Sequence, residues 1–148
     1  MTLVDTNLLI YATFRDAPEH QQARSWLQRQ LAQNDDAVVL CWPVVYAFAR
    51  LIPNVRVFGQ DALSVRQGWA VAVAHLHQPG VRLVSAGAGH QAIATELAQT
   101  PGLRSDDVQD IEIAALAIEH GLVLASHDRG FRRFAGLRVI DPLSDDQA

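Results

Sequence analysis

Residues 2–10 read TLVDTNLLI, an apolar run that is interrupted once, by Asp5, Thr6 and Asn7. A short run that is apolar throughout is typical of a strand buried on both faces of a parallel sheet. An Asp directly after such a strand projects into the crevice where open α/β sheets bind their ligands, and the Thr and Asn that follow can cap the next helix. The sequence therefore predicts that Asp5 lies at the mouth of a parallel sheet.

The rest of the chain alternates apolar runs with segments whose apolar residues recur at helical spacing. Further strands are predicted at residues 37–41, 81–84, 122–128 and 137–142, and helices at residues 7–14, 18–33, 42–52, 61–77, 90–97 and 105–121. Because strand–helix–strand crossovers are right-handed, this alternation builds a parallel sheet with helices on both faces. We therefore expect residues 1–148 to form one three-layer α/β/α domain with a central parallel sheet of four to five strands, and residues 143–148 to be a frayed acidic tail.

The composition excludes several classes of function. The 148 residues carry a formal net charge of −4, and all 12 basic residues are arginine. Without lysine the chain has no P-loop, whose lysine reaches the phosphates of a nucleotide, and no Schiff-base chemistry through lysine. Its one cysteine, Cys41, cannot form an internal disulfide, and no apolar run approaches the length of a membrane span. We therefore expect a protein of the reducing cytoplasm that has no membrane partner.

Two further acidic residues are predicted to lie near Asp5. Asp128 ends the predicted fourth strand as Asp5 ends the first, and Asp110 lies one turn inside the helix that begins at residue 105. Three carboxylates that face one cleft repel one another and hold raised pKa values unless a cation compensates them. Oxygen ligands select Mg²⁺ or Mn²⁺ over zinc, and such a site can activate water for an in-line phosphoryl displacement. Asp110 alone also suits a purely structural role, because carboxylates are common at helix N-termini.

Three segments resemble the best-marked motifs of PIN-domain ribonucleases, and in particular those of the VapC toxins of bacterial toxin–antitoxin pairs. They are Asp5-Thr6-Asn7, Asp110-x-x-Ile113-Ala114-Ala115 and Ser126-x-Asp128-x-x-Phe131. Residues 42–58 and 131–143 are similar to that subgroup as well, so the resemblance covers nearly the whole chain. The fold that it implies is PIN-like.

The resemblance also implies a function. It implies an endoribonuclease toxin that depends on Mg²⁺, with Mn²⁺ as a possible substitute, and that cleaves structured RNA such as tRNA or rRNA by metal-activated water. Asp5, Asp110 and Asp128 would hold the metal ion, and Asn7 and Ser126 would tune the site by hydrogen bonds. The implied partners are a VapB-type antitoxin and a second copy of the chain in a homodimer.

The sequence departs from the family pattern at two positions. Ala47 stands on the third helix where many members carry a glutamate, and Gly130 stands where a further Asp often follows Asp128. A replacement carboxylate could come from Asp106 or Asp107, which lie one helical turn before Asp110 on roughly its face, although both also suit solvated capping roles. Glu112 is a weaker candidate, since two residues along a helix turn a side chain about 200° away.

RNA binding requires cations beside the carboxylates, because the acidic site itself repels phosphate. Arginine suits this role, since its guanidinium group binds phosphate and stacks on bases. The predicted substrate-binding residues are Arg50, Arg56, Arg129, Arg132 and Arg133. For Arg50 an internal or dimer salt bridge is an equal alternative. His127 alternates with Asp128 along the predicted strand and is assigned no catalytic role.

Two other functions remain open from the sequence. The departures at Ala47 and Gly130 are compatible with a degenerate PIN-like module that binds RNA or an antitoxin without cleavage. A strand-end carboxylate site is also compatible with a metal-dependent phosphatase or a nuclease that acts on DNA.

Overall fold

The computed structural model describes residues 1–33, 35–53 and 63–144, and these contain a five-stranded sheet in which every neighbouring pair of strands is parallel. The strands are β1 (Thr2–Val4), β2 (Val38–Cys41), β3 (Val81–Val84), β4 (Val123–Ala125) and β5 (Val139–Ile140), in the spatial order β3-β2-β1-β4-β5. The helices are α1 (Thr6–Thr13), α2 (His20–Gln33), α3 (Trp42–Leu51), α4 (Val65–Leu76), α5 (His90–Leu97) and α6 (Val108–Glu119). The predicted three-layer α/β/α architecture is confirmed.

The central position of β1 follows from its residues. Every residue of β1 and β2 is buried, as expected for apolar strands covered by helices on both faces. Because β1 lies between β2 and β4, the residue that follows it reaches the middle of the carboxyl edge of the sheet. The sheet order thus places Asp5 at this edge, next to the segment that follows β4.

Strands β4 and β5 are each four residues shorter than predicted, and β2 is one residue shorter. β4 ends at Ala125 rather than at Asp128. The Ser126 N–H group still donates to the Ile140 carbonyl, and beyond it the Asp128 N–H group bonds to the Ser126 side chain instead of to a neighbouring strand. β5 spans Val139–Ile140 within the predicted residues 137–142. Asp128 therefore lies in a turn beyond the strand, close to the predicted carboxyl edge.

Helices α4 and α6 begin three or more residues later than predicted, and α2 begins at His20 rather than at residue 18. Ser64 caps α4, and its side chain and that of Gln67 bond reciprocally to each other's backbone N–H groups, so residues 63–64 precede the helix while residues 61–62 lie outside the described ranges. The predicted helix at 105–121 is divided into a 3₁₀ turn at Ser105–Asp107 and helix α6. Gly121 has a φ of 65°, the left-handed conformation that ends helices.

Two hydrogen bonds join Asp141 to residues 143 and 144, at the start of the tail that is predicted to be frayed. The carboxylate of Asp141 accepts a hydrogen bond from the Leu143 N–H group, and the carbonyl of Asp141 accepts one from the Ser144 N–H group. Residues 145–148 lie outside the described ranges. None of the helices in the described parts of the chain combines the length and apolar character needed to cross a bilayer.

Candidate active site

Asp5 is held rigidly at the carboxyl end of β1. It is the N-cap of α1, and its Oδ1 atom accepts a hydrogen bond of 2.7 Å from the Thr6 N–H group. Its Oδ2 atom accepts a second bond of 2.7 Å, from the hydroxyl of Ser126. The side chain is only 7 % exposed, and burial raises the pKa of Asp5, with the nearby Asp128 adding to the rise and the two hydrogen bonds opposing it.

Ser126 links Asp5 to the turn that carries Asp128. While its hydroxyl donates to Asp5, its Oγ atom accepts a 3.0 Å bond from the Asp128 N–H group and lies 3.5 Å from the Asn7 Nδ2 atom. The Asn7 Oδ1 atom in turn accepts a 3.4 Å bond from the His127 N–H group. Asn7 and Ser126, both predicted as supporting residues, thus bridge the ends of β1 and β4.

The turn at Asp128 explains why a glycine follows two residues later. The Asp128 Oδ1 atom accepts a 2.8 Å hydrogen bond from the Gly130 N–H group, and Asp128 caps the 3₁₀ helix Arg129–Arg133. A Cβ atom at Gly130 would lie 3.0 Å from this same Oδ1 atom. Glycine therefore lets the backbone approach the carboxylate closely.

Asp110 lies in the first turn of α6 and has an ion-pair partner that the sequence did not reveal. The pKa of Asp110 is raised to about 6, first by burial and then by the negative charges of three nearby carboxylates, those of Asp128, Asp5 and Asp107. The positive charge of Arg133 opposes this rise. The Arg133 Nη2 atom lies 3.1 Å from the Asp110 Oδ2 atom. Arg133, predicted as a substrate-binding residue, is thus a counter-ion of the carboxylates.

The carboxylates of Asp5 and Asp110 line one cleft of about 200 Å³ between α1, α3 and α6. Ala47 lies on its wall, at the position where the resemblance implies a glutamate, so the cleft has no carboxylate on α3. Gln109 also lines the cleft and was missed by the sequence analysis. Its place immediately before Asp110 was the only signal that could have indicated it.

The two candidate replacement carboxylates have different surroundings. The Asp107 Oδ2 atom accepts a 2.7 Å bond from the Arg104 N–H group, and its Oδ1 atom lies 3.1 Å from the Arg133 Nη2 atom. These bonds hold the pKa of the half-buried Asp107 below its usual value. Asp106 is exposed and has no hydrogen bond or ion pair within the described ranges. The predicted capping role therefore fits Asp107, whose carboxylate bonds to the Arg104 N–H group, and not Asp106.

The remaining predicted residues lie at the rim of the cleft or elsewhere. Arg50 lines the cleft and forms no ion pair with any other described residue, so the structure gives no support to an internal salt bridge. Arg129 and Arg132 are exposed on the short helix after Asp128. Arg56 lies outside the described residues. Glu112 lines a separate pocket, in agreement with its predicted direction.

The chemistry of the donor set fits a hard divalent cation, but the ligands are not yet arranged around one. The described part of the chain contains no group of three His, Cys, Asp or Glu side chains already placed to hold a metal ion. Arg133 engages Asp110, and the Gly130 N–H group engages Asp128. Of the three candidate ligands, Asp110 is thus the one with a cationic side chain as its partner.

Comparisons with known proteins identify the family. The model of the PIN domain matches residues 2–137. The chain is 33 % identical over 150 residues to Ribonuclease VapC33 of Mycobacterium tuberculosis, covering 98 % of this chain and 100 % of that protein. It is 35 % identical over 143 residues to Ribonuclease VapC43 of the same organism, covering 97 % and 96 %. The chain belongs to the VapC family of PIN-domain ribonucleases.

Solved structures share the fold of this VapC chain. VapBC-1 of nontypeable Haemophilus influenzae aligns with a TM-score of 0.68 at 15 % identity, covering 97 % of this chain and 98 % of that one. VapC20 of Mycobacterium tuberculosis, a sarcin–ricin loop cleaving toxin, aligns with a TM-score of 0.65 at 19 % identity, covering 93 % and 99 %. At these identities the likeness establishes the fold of the VapC chain alone.

Proposed function

We propose that this VapC protein is a toxin that cleaves RNA internally in the cleft beneath α1, α3 and α6, with the aid of a divalent cation. The observation that carries the proposal is the meeting of Asp5 and Asp110 in one cleft, with Asp128 tied to Asp5 through Ser126. Its relatives at 33–35 % identity are named ribonucleases. The coupled carboxylates, one with a pKa of about 6, form a site with an excess of negative charge.

Mg²⁺, or Mn²⁺ in its place, is the cation that we propose for Asp5, Asp110 and Asp128, because all three donors are carboxylate oxygens. When bound, the ion supplies charge stabilisation for an in-line phosphodiester displacement and acidifies water for the attack. Asp5 contributes a carboxylate that two hydrogen bonds hold in place. Asp110 and Asp128 contribute carboxylates whose present partners are an arginine and a backbone N–H group.

The substrate that we propose is structured RNA such as tRNA or rRNA, held by arginines at the rim. Arg50 lies in the cleft, and Arg129 and Arg132 follow Asp128 on an exposed short helix. Guanidinium groups bind phosphate through paired hydrogen bonds and stack on unpaired bases. The sarcin–ricin loop activity of VapC20 supports a folded RNA as the class of substrate.

A VapB-type antitoxin is the protein partner that we propose, because several fold neighbours were solved as VapBC complexes, including one from Rickettsia felis bound to promoter DNA. We also propose a homodimer as the working form. The place of action that we propose is the cytoplasm, where RNA substrates are found. Size-exclusion chromatography with light scattering, with and without the co-expressed antitoxin, measures both associations.

Cleavage of a total tRNA and rRNA pool by antitoxin-free protein tests the function. We expect discrete fragments in Mg²⁺ or Mn²⁺ and none in EDTA. The Asp5→Asn variant, purified identically, controls for contaminating nucleases and should reduce the rate by at least about 10²-fold, since metal-site ligands act as a unit. Equal cleavage by wild type and variant would contradict the proposal, as would faster turnover of DNA or small phosphate esters.

The absence of a carboxylate on α3 favours one alternative, a degenerate module that binds RNA without cutting it. Ala47 lines the cleft where the resemblance implies a glutamate. Under this alternative, RNA binds in a gel-shift assay while no divalent cation supports cleavage. Restoration of cleavage by Ala47→Glu would then identify the missing carboxylate as the cause.

A further inference from the structure

We propose that Arg133 is an internal counter-ion that competes with the divalent cation for the carboxylate of Asp110 and thereby lowers the metal affinity of the cleft. This inference rests on the proposed metal-dependent function. It concerns the regulation of that site by a residue of this chain, and it gives Arg133 a role different from phosphate binding.

The first support is the geometry of the ion pairs. A single Arg133 nitrogen, Nη2, lies 3.1 Å from the Asp110 Oδ2 atom and 3.1 Å from the Asp107 Oδ1 atom. The side chains are partly shielded from solvent, with exposed fractions of 29 % for Arg133, 24 % for Asp110 and 18 % for Asp107. Shielding of this kind makes the contacts stronger than those of a fully exposed pair.

The second support is the way in which the guanidinium group is held in this position. The Arg133 Cζ atom lies 5.0 Å from the centroid of the ring of Phe134, which is buried. On another side, a Cβ atom at Gly130 would lie 3.8 Å from the same Cζ atom. That is an ordinary van der Waals distance, so the backbone at Gly130 lies beside the guanidinium group. The contact with Phe134 favours a guanidinium group pointed at α6.

Competition follows from these contacts. A divalent cation ligated by Asp110 needs an oxygen of that carboxylate at about 2.1 Å, and Arg133 already donates a hydrogen bond to one of the two oxygens. Two cations on one carboxylate repel each other over a distance shorter than the screening length of about 10 Å at moderate ionic strength. Metal binding therefore weakens or breaks the contact between Arg133 and Asp110.

When the contact with Asp110 breaks, the remaining contacts of Arg133 determine where its guanidinium group lies. The second ion pair and the stacking on Phe134 do not involve Asp110, so they can keep the guanidinium group at the rim of the cleft. The cost of metal binding is thus the loss of one ion pair and the repulsion of a nearby charge. Removal of the Arg133 charge should abolish both costs.

The test is a Mn²⁺ titration by isothermal calorimetry of the full chain without RNA or antitoxin. We expect Arg133→Gln to bind Mn²⁺ about 3- to 10-fold more tightly than wild type, the range expected for removal of one partly shielded charge. Arg132→Gln is the matched control, because Arg132 belongs to the same short helix and has no ion pair among the described residues. It should change the affinity by less than about twofold, the range of an exposed charge.

Three other results would overturn the inference, and each identifies the step that fails. If Arg133→Gln binds Mn²⁺ no more tightly than Arg132→Gln, Arg133 does not compete with the metal ion. If it binds more weakly, Arg133 instead supports Asp110 as a ligand. If wild type shows no binding that Asp5→Asn abolishes, the proposed metal site itself fails. Thermal melting checks the fold, and Arg133→Met, which keeps an apolar side chain against Phe134, replaces the Gln variant if that variant unfolds.

Discussion

At the scale of single residues, Ser126 determines the geometry of two candidate carboxylates. Its buried hydroxyl donates to Asp5 and accepts from the backbone of Asp128. Removal of this hydroxyl would leave Asp5 without one of its two hydrogen-bond donors. The cost of such a buried unsatisfied group exceeds the net value of the hydrogen bond itself.

We therefore expect Ser126→Ala to lower the free energy of unfolding by about 1–3 kcal/mol. Urea denaturation followed by circular dichroism measures this change. Ser85→Ala is the matched control, because Ser85 is exposed and its hydroxyl has no hydrogen bond to any described residue. The control should alter stability by less than about 0.5 kcal/mol, and an equally small effect at Ser126 would show that the observed network contributes little.

A second prediction at this scale concerns the effect of Asp110 on how stability depends on pH. Because its pKa in the folded protein, about 6, lies above the usual value of 3.8, the folded state binds this proton more tightly than the unfolded state. Asp110 therefore reduces stability as the pH rises from about 4 through 6. In EDTA, we expect Asp110→Asn to gain stability relative to wild type between pH 4 and pH 7.

Urea denaturation at both pH values measures the difference between Asp110→Asn and wild type. Asp106→Asn removes the same charge from an exposed neighbour that has no hydrogen bond or ion pair among the described residues, so it is the matched control for the loss of one negative charge. If Asp110→Asn gained no more stability between pH 4 and pH 7 than Asp106→Asn, the raised pKa of Asp110 would be contradicted.

At the scale of elements, burial on both faces made β1 and β2 predictable, since every residue of both strands is buried, and β2 differs from its predicted limits by one residue. The limits of β3, an edge strand with one buried residue, match the prediction because turn residues bound it on both sides. The start of α4 was predicted too early because the prediction followed the spacing of apolar residues alone. The reciprocal capping of Ser64 and Gln67, which marks the true start, was not considered. The 3₁₀ turn before α6 depends on the bond from Arg104 to Asp107, which helical periodicity does not encode.

The candidate site shows the same division between local and tertiary information. Asp5, Asp110 and Asp128 were selected from sequence because each follows or begins a recognisable element. The ion pairs of Arg133 were not predicted, since they depend on how the 3₁₀ helix Arg129–Arg133 packs against the start of α6, which brings Arg133 to Asp110, 23 positions earlier, and to Asp107. The place of Gln109 in the cleft likewise depends on how α6 packs against α1 and α3.

At the scale of the whole molecule, the sheet order determines what the carboxyl edge can bind. β1 and β4 are neighbours at the centre of the sheet, so the segments that follow them converge there with the start of α6. The chain carries a net charge of −4, yet exposed arginines follow Asp128 and Arg50 lies in the cleft. An acidic centre with a basic rim is suited to a cation and a polyanion together.

Anomalous diffraction from crystals soaked in Mn²⁺ tests the central claim most directly, which is that Asp5, Asp110 and Asp128 together hold a divalent cation. We predict a peak in the cleft with carboxylate oxygens of these residues at about 2.1–2.2 Å, and no such peak in Asp5→Asn crystals treated identically. A peak outside the cleft, or a cleft that stays without one at Mn²⁺ concentrations that support RNA cleavage, would contradict the claim.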